Sequence, residues 1–134
     1  FTWQAFGAAL TERAAKMKAL LMDQKFISGL GNIYSDEVLF AAGLRYDRPS
    51  DTLSSQEVRR LYRAMQEVLQ EAIRFRGTTL EDEAYLDLFG KPGEFQNELK
   101  VYGRAGLPCR RCRTPIQAVK ISGRNAYFCP QCQS

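Results

Sequence analysis

Cys109-Arg110-Arg111-Cys112 and Cys129-Pro130-Gln131-Cys132 decide how the end of this chain folds. They hold all four cysteines of the 134 residues, as two C-x-x-C knuckles with sixteen residues between them. A lone C-x-x-C fits a redox dithiol, and paired cysteines fit disulfides in an oxidising compartment. Two knuckles at this spacing fit better a structural zinc site, in which two tight turns present four thiolates to a tetrahedral ion. The chain has no histidine, so the expected ligands are Cys109, Cys112, Cys129 and Cys132, and the expected cofactor is one zinc ion. The plainest role for that metal is to hold a segment too short to bury a core of its own.

Between the knuckles, residues 114–128 alternate as a β-hairpin does. Ile116, Ala118, Val119 and Ile121 form one arm, Ala126, Tyr127 and Phe128 the other, and Ser122-Gly123-Arg124-Asn125 supplies turn chemistry. The metal therefore stiffens a finger with Arg124 at its tip. Residues 101–134 carry six cations, Arg104, Arg110, Arg111, Arg113, Lys120 and Arg124, and no Asp or Glu. Even after the formal charge of a four-thiolate zinc is subtracted, this ribbon is positive and suited to a polyanion.

The rest of the chain is different. Nineteen Lys and Arg against 15 Asp and Glu give a net charge of +4, and the ribbon accounts for all of that excess, so the positive field is local. No signal peptide or long apolar run is present, which points to a reducing cytosol and no membrane. The first residues, Phe1-Thr2-Trp3, lack an initiator methionine, which predicts a fragment of a longer protein. A length of 134 residues suffices for one core and a small metal module.

From the front, Thr2 is a candidate N-cap ahead of Trp3, Phe6, Ala9 and Leu10 at helical spacing. Thr11 and Glu12 continue the helix, with Ala14, Ala15, Met17, Leu20 and Leu21 inward and Arg13, Lys16 and Lys18 outward, an ordinary solvated face. Lys18 alone lies close to the next motif. Gly29-Leu30-Gly31 breaks the chain with positive φ allowed at both glycines, and a helix then runs from Asn32 to Gly43. Asp36 and Glu37 are placed in its first turns, where the helix dipole favours negative charge. Asn32 reads in two ways. It caps its own helix, as Asn usually does there, or Gly31 lets a phosphate approach while Asn32 and the free amides donate to it. Leu53-Ser54-Ser55-Gln56-Glu57-Val58 gives a capping box between Ser54 and Glu57 and a staple between Leu53 and Val58. The long core helix that follows puts Val58, Leu61, Tyr62, Met65, Val68, Leu69, Ala72 and Ile73 on one stripe and stops at Gly77. Residues 77–100 contain an acidic stretch, the turn Gly90-Lys91-Pro92-Gly93, and Phe95 and Leu99 leading to Val101 and Tyr102. A connector of that length is usually functional or disordered.

Taken in order, Gly29-Leu30-Gly31-Asn32-Ile33-Tyr34, Gly77-Thr78-Thr79, Gly90-Lys91-Pro92-Gly93, Val101-Tyr102-Gly103-Arg104 and the four-cysteine ribbon with Arg124 resemble the carboxy-terminal half of the formamidopyrimidine-DNA glycosylase/endonuclease VIII family. The resemblance covers essentially the whole chain. It implies a mainly α fold, a helix-two-turns-helix domain over 1–76, a lesion-loop connector over 77–100 and a four-cysteine zinc finger over 101–134. It also implies a partner, double-stranded DNA containing a damaged base or an abasic site, and a monomeric protein of the bacterial cytosol.

Residue by residue, Asn32 and Gly31 resemble the family's phosphate-binding turn, and Lys18 and Tyr102 fall where further phosphate contacts lie. Arg124 resembles the hairpin arginine that grips phosphates beside the lesion and is assigned a catalytic part in strand elimination. Residues 77–94 fall on the loop that closes over the flipped base, with least agreement over 80–89. The family's nucleophile is an N-terminal proline amine that forms a Schiff base at the sugar C1′, with an adjacent glutamate as acid and base. Here residues 1 and 2 are Phe and Thr. The expected function is therefore the DNA-binding part of a base-excision glycosylase and abasic-site lyase for oxidised purines, with no cleavage by the isolated chain.

Two readings compete with it. One is a non-catalytic nucleic-acid-binding zinc-ribbon module, because a similar helical motif occurs in an RNA-binding ribosomal protein. The other is a zinc ribbon that serves only as an interaction clip. The reading frame upstream of Phe1 separates the first of these from the glycosylase: an opening Met-Pro-Glu supports the enzyme, a native start just before Phe1 the binding module.

Overall fold

The computed structural model describes residues 2–23, 31–76, 99–121 and 123–134. The helix end expected at Gly29, the stop at Gly77, the connector before Leu99 with its turn at 90–93, Ser122, and the side chains of Ala72 and Ile73 lie outside the described residues. Among these residues there are four α-helices, then one antiparallel hairpin, as the mainly α class with a terminal zinc ribbon requires.

Helix α1 spans Trp3–Arg13, and the Thr2 hydroxyl accepts from the Ala5 N–H at 3.2 Å, the expected cap. It does not continue through Ala14 and Ala15. Ala14 is exposed and left-handed at φ 43°, and a separate helix α2 spans Met17–Met22. The reason lies 30 residues further on, in a connector that no local pattern reveals. The Ser50 hydroxyl accepts from the Ala15 N–H and donates to the Leu10 carbonyl, while the Met17 and Lys18 N–H groups donate to the Arg48 and Tyr46 carbonyls. Groups at two helix ends are thus met by one connector, of which only Ser50 is buried.

Helix α3 spans Asn32–Ala42 and ends at left-handed Gly43, as expected. Gly31 precedes it at φ −92°, an extended conformation open to any residue, so the positive φ that a glycine allows there is not used. Helix α4 spans Ser55–Arg76 and starts with the expected capping box. The Ser54 N–H donates to Glu57 Oε1 at 2.9 Å, and the Glu57 N–H to Ser54 Oγ at 3.1 Å.

The main core packs Phe6 and Leu10 of α1 and Leu20 and Leu21 of α2 against Val38 and Leu39 of α3 and Leu61 and Met65 of α4. Tyr62, Val68, Leu69 and Leu53 cover its edge. Phe40 points the other way, into a second cluster with Val101, Ile116, Cys109 and Cys129. Helix α3 is therefore shared between the helical core and the ribbon. In the ribbon, β1 (Gln117–Ile121) pairs with β2 (Arg124–Phe128) from Gln117 opposite Phe128 to Ile121 opposite Arg124. Ile121 and Arg124 are the last pair of the ladder, so Gly123, at φ 82°, lies in the turn, and Arg124 is the first residue of β2 and not part of the turn. No helix among the described residues is long and apolar enough to cross a membrane.

Candidate metal centre and nucleic-acid interface

The four Sγ atoms of Cys109, Cys112, Cys129 and Cys132 all lie within 4.8 Å of one another. Cys109 and Cys132 are 3.9 Å apart and Cys112 and Cys129 3.4 Å apart, with no disulfide among them. A tetrahedron with zinc–sulfur bonds of ~2.3 Å has sulfur–sulfur edges of about 3.8 Å, so the cluster fits one zinc ion. Each knuckle adds a backbone donor: the Arg111 N–H reaches Cys109 Sγ and the Cys132 N–H reaches Cys129 Sγ, both at 3.3 Å. Such donors temper thiolate charge and fix ligand orientation.

The thiols themselves call for a cation. Hydrogen bonds from Thr114 lower Cys112 to about 6, whereas burial and the adjoining thiols push Cys132 up to about 12 and raise Cys129. Four thiolates this close repel one another, and a divalent ion reverses the balance by making every thiolate a ligand. Zinc here supplies cross-linking and no reaction step.

The ribbon is fastened to α3 by side chains that the sequence reading assigned elsewhere. Glu37 is buried, and its two oxygens accept from three successive backbone N–H groups, Lys100 at 2.8 Å and Val101 and Tyr102 at 2.9 Å. Asp36, with no exposed surface, accepts from the Lys18 ammonium at 2.6 Å and from the Tyr127 N–H at 3.1 Å. Neither is a dipole-stabilising acid of the first turn, as expected from position alone; both are buried ties to the ribbon. Burial pushes Asp36 up to about 6 against the pull of Lys18 and Tyr127, and burial also raises Glu37. At the far end, buried Gln133 accepts from the Cys129 N–H and donates to the Leu44 carbonyl, each at 2.8 Å.

The predicted contact residues divide. Arg124 is exposed at the start of β2, beyond the ribbon's own hydrogen-bonding needs. Asn32 is the first residue of α3, and its buried Oδ1 has no hydrogen-bond partner among the described residues. The self-capping reading of Asn32 is thereby replaced, and Gly31 takes the cap position. Lys18 is not on a solvated face. Its side chain is 5% exposed, and besides Asp36 it donates to the Asn32 carbonyl at 3.1 Å. Burial lowers its pKa, Asp36 works against that, and the nearby charge of Arg124 lowers it further. Lys18 therefore lies under the α3 N-terminus, and through Asp36 it is linked to the Tyr127 N–H of β2, the strand that Arg124 begins. Tyr102 is half-buried, its ring edge-on to Tyr127 at 5.0 Å between centroids.

Of the ribbon cations, Arg104 donates to the Lys100 and Pro108 carbonyls, Arg110 to the Leu99 carbonyl, and Arg111 stacks over Phe40 at 4.6 Å. These three tie the ribbon to residues 99–100 and to α3, although Arg110 and Arg111 stay exposed, as do Arg113, Lys120 and Arg124. Sequence reasoning missed Asp36, Glu37, Arg48 and Gln133. Asp36 and Glu37 did leave a signal: two adjacent acids inside Ile33-Tyr34-Ser35-Asp36-Glu37-Val38-Leu39-Phe40, where an apolar flank on either side predicts burial.

Fold and site together define a helical domain joined to a four-cysteine zinc finger. Two family profiles match: the formamidopyrimidine-DNA glycosylase H2TH domain over residues 1–84, and the zinc finger found in FPG and IleRS over residues 106–134. The chain belongs to the formamidopyrimidine-DNA glycosylase H2TH family. The formamidopyrimidine-DNA glycosylase of Thermus thermophilus is 48% identical over 133 residues, which is 99% of this chain and 50% of that protein. The crystal structure of the Thermus thermophilus MutM (Fpg) protein superimposes with a TM-score of 0.85 over 98% of this chain and 50% of that one. The Lactococcus lactis Fpg in complex with FAPY-dG-containing DNA gives 0.86 at 36% identity, over 100% of this chain and 48% of that one. The chain thus spans about half the length of the relatives it matches.

Proposed function

We propose that these residues are the DNA-gripping part of a base-excision glycosylase and abasic-site lyase acting on oxidised purines in the bacterial cytosol. Helices over 1–76 carry the turn, 77–100 the lesion loop, and 101–134 the zinc finger. Extruding a damaged nucleotide costs a few kcal/mol in lost stacking and pairing, which a firm hold on the kinked backbone offsets. Asn32, the Gly31 backbone and the free amides of α3 donate to one phosphate, and Arg124 grips the next. Tyr102 lines the same side, and Lys18 adds positive charge from beneath. In the intact enzyme the Arg124 guanidinium also stabilises the negative charge that develops on the leaving phosphate during elimination. The nucleophile belongs, on this reading, to the half of the relatives that these 134 residues do not span. The protein acts as a monomer.

The observation that carries the proposal is the run of hydrogen bonds through Lys18 and Asp36, which ties the Asn32 carbonyl at the head of α3 to the Tyr127 amide in the strand that Arg124 begins. The Fpg relatives solved with FAPY-dG-containing DNA and with abasic-site-containing DNA support damaged or abasic-site DNA as the partner. The test is binding of a labelled duplex with a tetrahydrofuran abasic-site analogue across a salt series. Arg124→Ala is expected to weaken binding about tenfold and to lower the salt slope by about one. Affinity and slope equal to the unmodified protein's would sink the assignment.

A further inference from the structure

Asp36 is absorbed by none of the motifs above, yet its two oxygens face different parts of the fold. Oδ1 takes the Lys18 ammonium at 2.6 Å, and Lys18 in turn holds the Asn32 carbonyl at 3.1 Å. Oδ2 takes the Tyr127 N–H at 3.1 Å, in the strand that starts at Arg124.

The hairpin register explains why that N–H is free to be taken. A two-residue turn makes Ile121 and Arg124 the closing, mutually hydrogen-bonded pair. Alternation along an antiparallel ladder then makes Ala118 and Tyr127 a non-hydrogen-bonded pair, so the Tyr127 N–H points away from β1. An amide turned off its ladder and covered by protein needs another acceptor. Asp36 supplies a charged one, the stronger kind.

The result is a continuous chain: Asn32 carbonyl, Lys18 ammonium, Asp36 carboxylate, Tyr127 amide, then three residues of strand to Arg124. Glu37 makes no such chain; it holds residues 100–102 and touches neither contact group. We infer that Asp36 is a positioning residue that couples the Arg124 strand to the turn bearing Asn32, so that the two grip a nucleic-acid backbone as one site. This rests on the backbone-gripping reading proposed above. Asp36 itself touches no ligand.

A double-mutant cycle tests it, using the zinc-loaded full chain and the abasic-analogue duplex. Kd is measured for Asn32→Ala, Arg124→Ala and the pair, with Asp36 present and in Asp36→Asn. With Asp36 present, the pair is expected to lose about fivefold less affinity than the product of the single losses, the signature of coupled groups. In Asp36→Asn the losses are expected to multiply to within about twofold, and Tyr127 amide exchange to quicken relative to Ala126. A role in stability alone would lower affinity or melting temperature without altering that non-additivity.

Since Asp36→Asn leaves a buried ammonium without its counter-charge, Lys18→Met combined with Asp36→Asn is the balanced control. It keeps an acceptor for Tyr127 but breaks the chain at Lys18, so it too must lose the coupling. Coupling that survives in either background overturns the inference, as do independent losses with Asp36 present. If neither Asn32→Ala nor Arg124→Ala weakens binding, the backbone-gripping reading itself fails and the coupling falls with it.

Discussion

Helix α4 begins with a capping box whose partners are three residues apart, whereas α3, packed against it, satisfies its buried carboxylates with groups 18 to 91 residues away. The first helix is stabilised by local chemistry and one apolar stripe. The second is stabilised by a ribbon that reaches it only after the chain has returned. Long helices with good caps form from their own neighbourhood. A helix with acids on a covered face forms only with its partners in place, because an unpaired buried carboxylate is costly. The two helices should therefore fail in different ways.

Removing zinc is the strongest way to separate them, since structural zinc in finger peptides is worth about 10–16 kcal/mol of binding. Chelation is expected to unfold the ribbon and take α3 with it, because Phe40 shares the cysteine cluster and Asp36 and Glu37 lose their donors. Helices α1 and α4 lose Val38 and Leu39 as neighbours but keep the apolar contacts they make with each other, Phe6 against Tyr62 among them. Hydrogen exchange should then show α3 amides losing protection together with the ribbon while α4 amides retain theirs. Equal retention in α3 would mean that it stands without the ribbon, and the contrast would disappear.

A single side chain comes next. Glu37→Ala leaves three neighbouring N–H groups without an acceptor, at about 1–3 kcal/mol for each that stays dry, so roughly 3–5 kcal/mol is expected in chemical denaturation. Ser54→Ala in α4 removes one cap bond and should cost about 1 kcal/mol. If Glu37→Ala proves no costlier than Ser54→Ala, the ties to the ribbon are ornamental and the contrast is broken from the other side.

The same contrast governs what could be read in the sequence. The zinc ligands, the hairpin arms, the α4 capping box and stripe, and the Gly43 stop of α3 all follow from spacings of two to sixteen residues, and all were legible. The break at Ala14 was not, because Ser50, Arg48 and Tyr46 are what make it, and no helical periodicity reports on a turn 30 residues later. Lys18 looked like any outward lysine on an amphipathic face until Asp36 closed over it. Asp36 and Glu37 could have been flagged as buried from their apolar flanks, but their partners could not, since the donors are backbone amides and carry no side-chain signature. Asn32 and Arg124 were legible as candidates, from a glycine-flanked turn and a hairpin between the knuckles. The seam beneath them was not.

The smallest expected effect separates the two regions by sign. Asp36 holds its proton up to about 6 in the folded protein, from an ordinary 3.8, because burial outweighs Lys18 and the Tyr127 amide. Between those values the folded state binds a proton that the unfolded chain has released. Its contribution to stability is therefore complete below about pH 4 and is lost as pH rises through about 6. Glu57 behaves in the opposite sense. Burial raises it, but the Ser54 N–H and the bidentate Arg48, at 2.9 and 3.0 Å, hold it below the usual 4.5. Its contribution is present above 4.5 and is lost as pH falls. Because the two slopes act in adjoining windows, Glu57 below about 4.5 and Asp36 from about 4 to about 6, the contribution of these groups should peak near pH 4 to 4.5 and fall on either side. Glu57→Gln should remove the loss on the acid side and leave the decline toward neutrality in view, and Asp36→Asn should do the reverse. Urea titrations of both variants across that range decide it: if they shift the profile in the same direction, the carboxylates of α3 and α4 are not held by opposite means.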